Sequence, residues 1–369
     1  MYRIFYAERD ATLYEQFPER NTGVDQLLEL TKISSASDDF SNTFNTRFLV
    51  DFGSQIDTLR TEINAGRIPN LDTSSVFMTI TSTESNDLKQ KYTLEAYAIS
   101  ESWTNGNGVF SDKPETQNGV SWFYRSGTPN SIFWNTGSAE SVGSGSATNI
   151  GGGTWLTGST YRASQSFNNE IPDIRMNVTD IVKRWVNQDI DNNGFIVKRS
   201  LNDELSGEIL GSIKFFSRET NTIYVPRLEV AFNDVTFSNT SSAEISSETY
   251  VPYIKNIKSE YRQTDLAKFR IGVRPEFPTK SYSTASFFVT TNRLPTSSFY
   301  SICDSVTNDT IIPFDTNATQ IDCDVNGSFF KLRMDSFFPE RFYNIKLKIE
   351  REGGDDIQTF DDFYFKVKN

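Results

Sequence analysis

The chain has 369 residues, enough for two cores rather than one, and its 48 acidic against 36 basic side chains leave a net charge of −12. A nucleic-acid backbone is recognised by clustered cations, so this balance argues against such a partner; no apolar run approaches the ~20 residues that a spanning helix needs, so membrane insertion is not expected. Histidine is absent, which removes the commonest general base and the commonest metal ligand, and with them Ser-His-Asp, Cys-His and the usual zinc arrangements.

From the N-terminus, Met1-Tyr2-Arg3-Ile4-Phe5-Tyr6 is too short and too mixed for a secretion signal, so folding is expected to begin at once. Short runs at 47–52, 76–81, 92–99, 194–198, 213–216 and 227–232 read as strands separated by turn residues. The adjacent Asp38-Asp39 pair reads as a solvated loop rather than as the acid and base of a glycosidase. Residues 136–153, rich in Gly and Ser, read as a long surface loop. Val178, Ile181, Val182 and Trp185 fall at the spacing of one helix face, with Asn177 as the cap, and predict a single short helix.

Asp189-Ile190-Asp191-Asn192-Asn193-Gly194 matches the first half of a calcium loop, but the twelfth position is Ser200 beside Lys198 and Arg199. The stretch therefore reads as a helix end unwinding into a strand, and no metal or other cofactor is expected. Residues 237–249, rich in Ser and Thr, mark a linker between a first domain over 1–236 and a second over 250–369. Cys303 and Cys323 fit either a bridge or two reduced core thiols. Near the C-terminus Tyr343, Ile345, Leu347 and Ile349 alternate with polar residues, and Phe363, Phe365 and Val367 do the same, with Gly353-Gly354-Asp355-Asp356 as the turn between them.

Several motifs in the first domain occur in a recognisable order: Asp10-Ala11-Thr12 with Asn21-Thr22-Gly23, Arg47-Phe48-Leu49-Val50-Asp51-Phe52, Trp103 with Val120-Ser121-Trp122, Val178-Thr179-Asp180-Ile181-Val182 with Trp185, Asn193 to Lys198, and Pro226-Arg227-Leu228-Glu229-Val230. Together they resemble the DNRLRE-type domain family, a jelly-roll module related to carbohydrate-binding modules. In the second domain Gly327-Ser328-Phe329-Phe330 and Pro339-Glu340-Arg341-Phe342-Tyr343 resemble an immunoglobulin-like sandwich. The expected class is all-β: a jelly-roll β-sandwich with one short helix, then a smaller immunoglobulin-like β-sandwich.

Tandem sandwiches of this kind resemble structural proteins of tailed-bacteriophage virions, made in the host cytoplasm and built into necks, tails or baseplates. The resemblance implies a non-enzymatic protein whose partners are other virion proteins or further copies of itself. With no catalytic residue readable, function is expected at aromatic anchors. Phe40, Phe44, Phe110 and Phe133 lie in polar, turn-rich surroundings and are the expected interface residues. The alternative is a carbohydrate-binding adhesin in which Trp103, Trp122 or Trp134 stacks on a glycan, since their Gly, Ser and Asn neighbours suggest exposure.

Overall fold

A computed structural model describes residues 1–36, 39–135, 151–238, 244–246, 249–277, 292–350 and 357–369. Asp38, most of the 136–153 loop, part of the 237–249 segment and the turn at 353–356 lie outside the described residues. The chain is all-β, in two compact units: residues 5–229, and residues 230–369 together with Met1–Ile4. The division runs through strands Tyr2–Tyr6 and Arg227–Ala231.

The unit over 5–229 is built from a large sheet and a four-stranded one. In the large sheet the order is Arg162–Asn168, Lys91–Ala98, Phe195–Arg199, Asp39–Asp51, Leu27–Ala36, Gly211–Phe216 and Ser82–Asn86, with Arg9–Tyr14 also paired to Asp39–Asp51. The strand Ser75–Ile80 of the smaller sheet shows why alternation is a reliable signal: Val76, Met78 and Ile80 are buried while the residues between them are half-buried. Phe48 packs on Phe215 at 5.4 Å, and Trp185 meets Phe195 at 4.6 Å, so the helix expected around Trp185 does sit on strand residues.

That helix is one of three among the described residues, not a single one. Helix α1 (Ser54–Asn64) packs against helix α2 (Thr179–Asn187), and Arg60 of α1 donates to the carbonyls of Trp185 and Val186, satisfying backbone acceptors at the end of α2. Asn177 caps α2 from one place further out than expected: its Oδ1 accepts from the Thr179 N–H at 3.1 Å while Val178 holds the boundary position. Helix α2 ends at Gln188 in the left-handed region, and Gly194 presses against the Val50 carbonyl, where a Cβ would come within 2.6 Å of the oxygen. The 189–194 stretch is thus a helix exit. Helix α3 (Leu201–Leu205) begins at Ser200, whose hydroxyl accepts from the Asp203 N–H.

The other unit is a β-sandwich. One sheet holds Tyr250–Ile254, Leu266–Pro275, Gly327–Arg333 and Asp322–Asp324; the other holds Glu260–Arg262, Ile357–Lys368, Phe342–Glu350, Ser298–Asp304 and Thr310–Ile312. Aromatic rings fill the space between them, with Phe330 stacked on Phe269 at 5.1 Å and on Tyr300 at 4.3 Å, and Phe365 reaching Phe269 at 5.7 Å. Tyr343, Ile345, Leu347 and Ile349 are all buried, as their alternation predicts, and their strand pairs antiparallel with Ile357–Lys368. Cys303 and Cys323 are both buried and are not joined in a disulfide.

Candidate interaction site

Four of the five tryptophans gather in one buried cluster of the unit over 5–229. Trp103, Trp122 and Trp134 are only 3%, 4% and 2% exposed, and with Trp155 they form a second apolar cluster on Ala11, Leu13, Leu49, Val120 and Ile196. This overturns the glycan-stacking expectation for Trp103, Trp122 and Trp134, because a ring sealed from solvent offers no face to a sugar. The indole N–H groups are satisfied inside, Trp103 donating to Asn193 O at 2.8 Å and Trp134 to Ser121 O at 3.0 Å. The glycines that suggested exposure instead allow close packing: a Cβ on Gly152 would lie 2.8 Å from the Trp122 ring.

The loop that carries these tryptophans is pinned by Asn21. Its fully buried carboxamide donates to Asn105 O at 2.7 Å and Val120 O at 2.8 Å, and accepts from the N–H groups of Gly108 at 2.8 Å and Gly23 at 3.3 Å. All of the amide's bonding capacity that geometry allows is used, which is the physical role of the Asn21-Thr22-Gly23 motif. Beneath the cluster lies an ion network: Arg47 makes two bonds of 2.9 Å to Glu204, Lys198 adds a third at 3.0 Å, and the Arg47 guanidinium lies over Trp122 and Trp155. The two cations hold the Glu204 carboxyl below its ordinary range against burial, which acts the other way and more strongly than either alone.

The same unit carries a groove of about 380 Å³ lined by Tyr14, Asp25, Leu27, Glu29, Val109 and Phe110. Phe110 is 37% exposed, its ring 4.7 Å from Tyr14 and 5.5 Å from Phe17, and its backbone N–H is held by Asp25 at 2.9 Å. The Arg20 guanidinium lies 4.3 Å from the Phe17 ring and 4.5 Å from the Phe110 ring, bridging the two. The groove is acidic. Burial raises Asp25 to about 6, with Glu29 and Asp112 pushing the same way and the Phe110 N–H opposing. Behind it Asp10 is raised to about 7, chiefly by burial, while accepting the Arg218 N–H at 2.6 Å. Tyr14 is raised well above the ordinary phenol value by burial and by Glu29.

Of the four expected interface residues, Phe110 packs directly on Phe17 and Arg20, whereas Phe133 is linked to the same segment through Tyr124 and Glu19. Phe133 is 54% exposed and packs on Tyr124 at 4.6 Å, and the Tyr124 hydroxyl donates to Glu19 at 3.3 Å. Phe44 stands apart, half-buried and opposite Ile33 in the strand register. Phe40 belongs to the strand Asp39–Asp51, but its side chain lies outside the described residues. No family model matches this chain, and no curated protein does either. Among the described residues no group of three acidic or Cys side chains is placed to hold a metal ion. Sequence reasoning missed Tyr14, Arg20, Asp25 and Glu29, because the groove joins segments around residues 14, 25 and 110 that carry no common motif.

Proposed function

We propose that the chain is a non-enzymatic structural protein of a tailed-bacteriophage virion, in the neck, tail or baseplate, working through protein–protein interfaces. The groove beside Phe110 is its principal contact surface. The reading of the sequence as two sandwiches in tandem supports the phage assignment by analogy, and the two all-β units suit a scaffold that presents surfaces rather than a mobile catalytic site. The observation that carries the reading is Phe110 itself: a large apolar ring left partly open, yet fixed by Tyr14, Phe17 and Arg20, is the kind of anchor on which interfaces concentrate their binding energy. The glycan alternative loses its named residues to the core.

Electron microscopy and mass spectrometry of purified particles test the assignment. Stoichiometric presence of the chain in particles is the expected result, and its absence from them would overturn the reading.

A further inference from the structure

Charge is divided unevenly along the chain. Residues 5–229 carry 29 acidic against 19 basic side chains, a net of −10, whereas the remaining residues carry 19 against 17, a net of −2. Within the less acidic unit, cations gather on one face of one sheet. In the strand Leu266–Pro275 the residues Ala267, Phe269, Ile271 and Val273 are buried in the sandwich, so Leu266, Lys268, Arg270 and Arg274 face outward. The register sets Lys331 opposite Lys268 and Arg333 opposite Leu266, and Lys255 follows in line, its N–H donating to Arg270 O at 2.8 Å.

Six cations thus share one outer face: Lys255, Lys268, Arg270, Arg274, Lys331 and Arg333. The opposing acids there are Asp324, which binds Lys268 at 2.9 Å and Arg270 at 2.6 Å, Asp335, which lies 3.8 Å from Arg333, and Asp322, which accepts from the backbone of Thr236 and Phe237. Among the described residues Lys255, Arg274 and Lys331 have no carboxylate partner. The face is not purely polar. Leu266 and Tyr253 are exposed on it, and Lys268 lies 3.5 Å from the Phe329 ring. A positive, partly apolar sheet face on a chain of net charge −12 calls for an acidic occupant with an apolar anchor.

The chain itself carries such a surface, in the acidic groove around Asp25, Glu29 and Phe110. We propose that the basic face of the strands Tyr250–Ile254, Leu266–Pro275 and Gly327–Arg333 docks the Phe110 groove of a second copy of this chain. The contact is head-to-tail, so it builds a ring where the rotation closes and a filament where it does not. This rests on the reading of the chain as an assembly protein and names the partner of the groove.

Sedimentation velocity on the full chain tests it, from about 1 to about 100 µM protein, at about 50 and about 500 mM salt. The expected result is concentration-dependent association at low salt that weakens by about tenfold or more at high salt. The double variant Arg274→Glu/Lys331→Glu, at one exposed and one half-buried position of the outward face, should stay monomeric, and so should Gln26→Lys at the open mouth of the groove.

Mixing these two variants is the decisive arm. Each keeps the half that the other lacks, so a head-to-tail contact gives a one-to-one dimer and no larger species. Monomeric wild-type protein under all conditions overturns the proposal, as does association unchanged by the variants. Binding of heparin to the basic face without self-association overturns it in favour of a polyanion. None of these results touches the virion assignment, which fails only if the chain is missing from particles.

Discussion

Asp10 gives the sharpest test of the buried electrostatics behind the groove. In the folded chain its carboxyl is raised to about 7, chiefly by burial, against an ordinary value of 3.8. A carboxyl whose folded pKa lies above its unfolded one contributes stability that is complete below the unfolded value and is lost as pH rises through the folded value. The window is therefore pH 3.8 to about 7. Integrated from about pH 4.5 to about pH 7.5, the loss is about 3 kcal/mol. Asp10→Asn removes the titration while leaving an oxygen to accept the Arg218 N–H. Urea unfolding of both chains at the two pH values isolates the effect, because every other titrating group is common to both. The variant should gain about 2–4 kcal/mol relative to wild type on going from acid to neutral pH. A relative gain below about 1 kcal/mol, or a relative loss, would refute the placement of Asp10 as a buried, weakly compensated acid.

Glu204→Gln leaves Arg47 and Lys198 buried without their anion, and should lower the unfolding free energy by about 3–5 kcal/mol in denaturant titration. Asn21→Ala unmakes the bonds to Asn105, Val120, Gly108 and Gly23 and should cost about 2–4 kcal/mol, with faster amide exchange at Gly108 as its local signature. Trp122→Ala should destabilise by about 3–5 kcal/mol, in contrast to the near-neutral effect that a surface sugar platform would show. Phe110→Ser should leave a folded chain weakened by about 2 kcal/mol, through lost contact with Tyr14, Phe17 and Arg20, and lowered by a few degrees in melting temperature.

The strands were legible wherever one face is buried and the other wet, because a two-residue period then appears directly in the side chains. Tyr343 to Ile349 and Val76 to Ile80 are the plain cases. Helix α2 was legible for the corresponding reason at helical spacing. Helix α1 was not: it starts at Gly53 with no side-chain cap of its own, and its first N–H, that of Ser54, is bound at 3.0 Å by Glu8 from a distant segment. Helix α3 carries a local sign, Ser200 with Asp203 three places on, which is masked in the sequence because Ser200 also falls at the twelfth position of the incomplete calcium loop.

The tryptophans misled because small polar neighbours mark a loop, and a loop usually lies open to solvent. Here glycines let the loop close tightly over the rings, and Asn21, far off in sequence, fastens it. Long-range partnerships such as Arg47 with Glu204, and a groove assembled from three segments, leave no local pattern at all. The partial exposure of Phe110 and Phe133, by contrast, follows from bulky rings placed among turn residues.

Hydroxyl-radical footprinting of the native assembly against the isolated chain tests the central claim most directly. If the groove is a contact surface, Phe110 should be oxidised readily in the free chain and strongly protected in the assembly, while the exposed Ile171, which is not part of the groove lining, keeps its reactivity. Equal oxidation of Phe110 in both states would contradict the account.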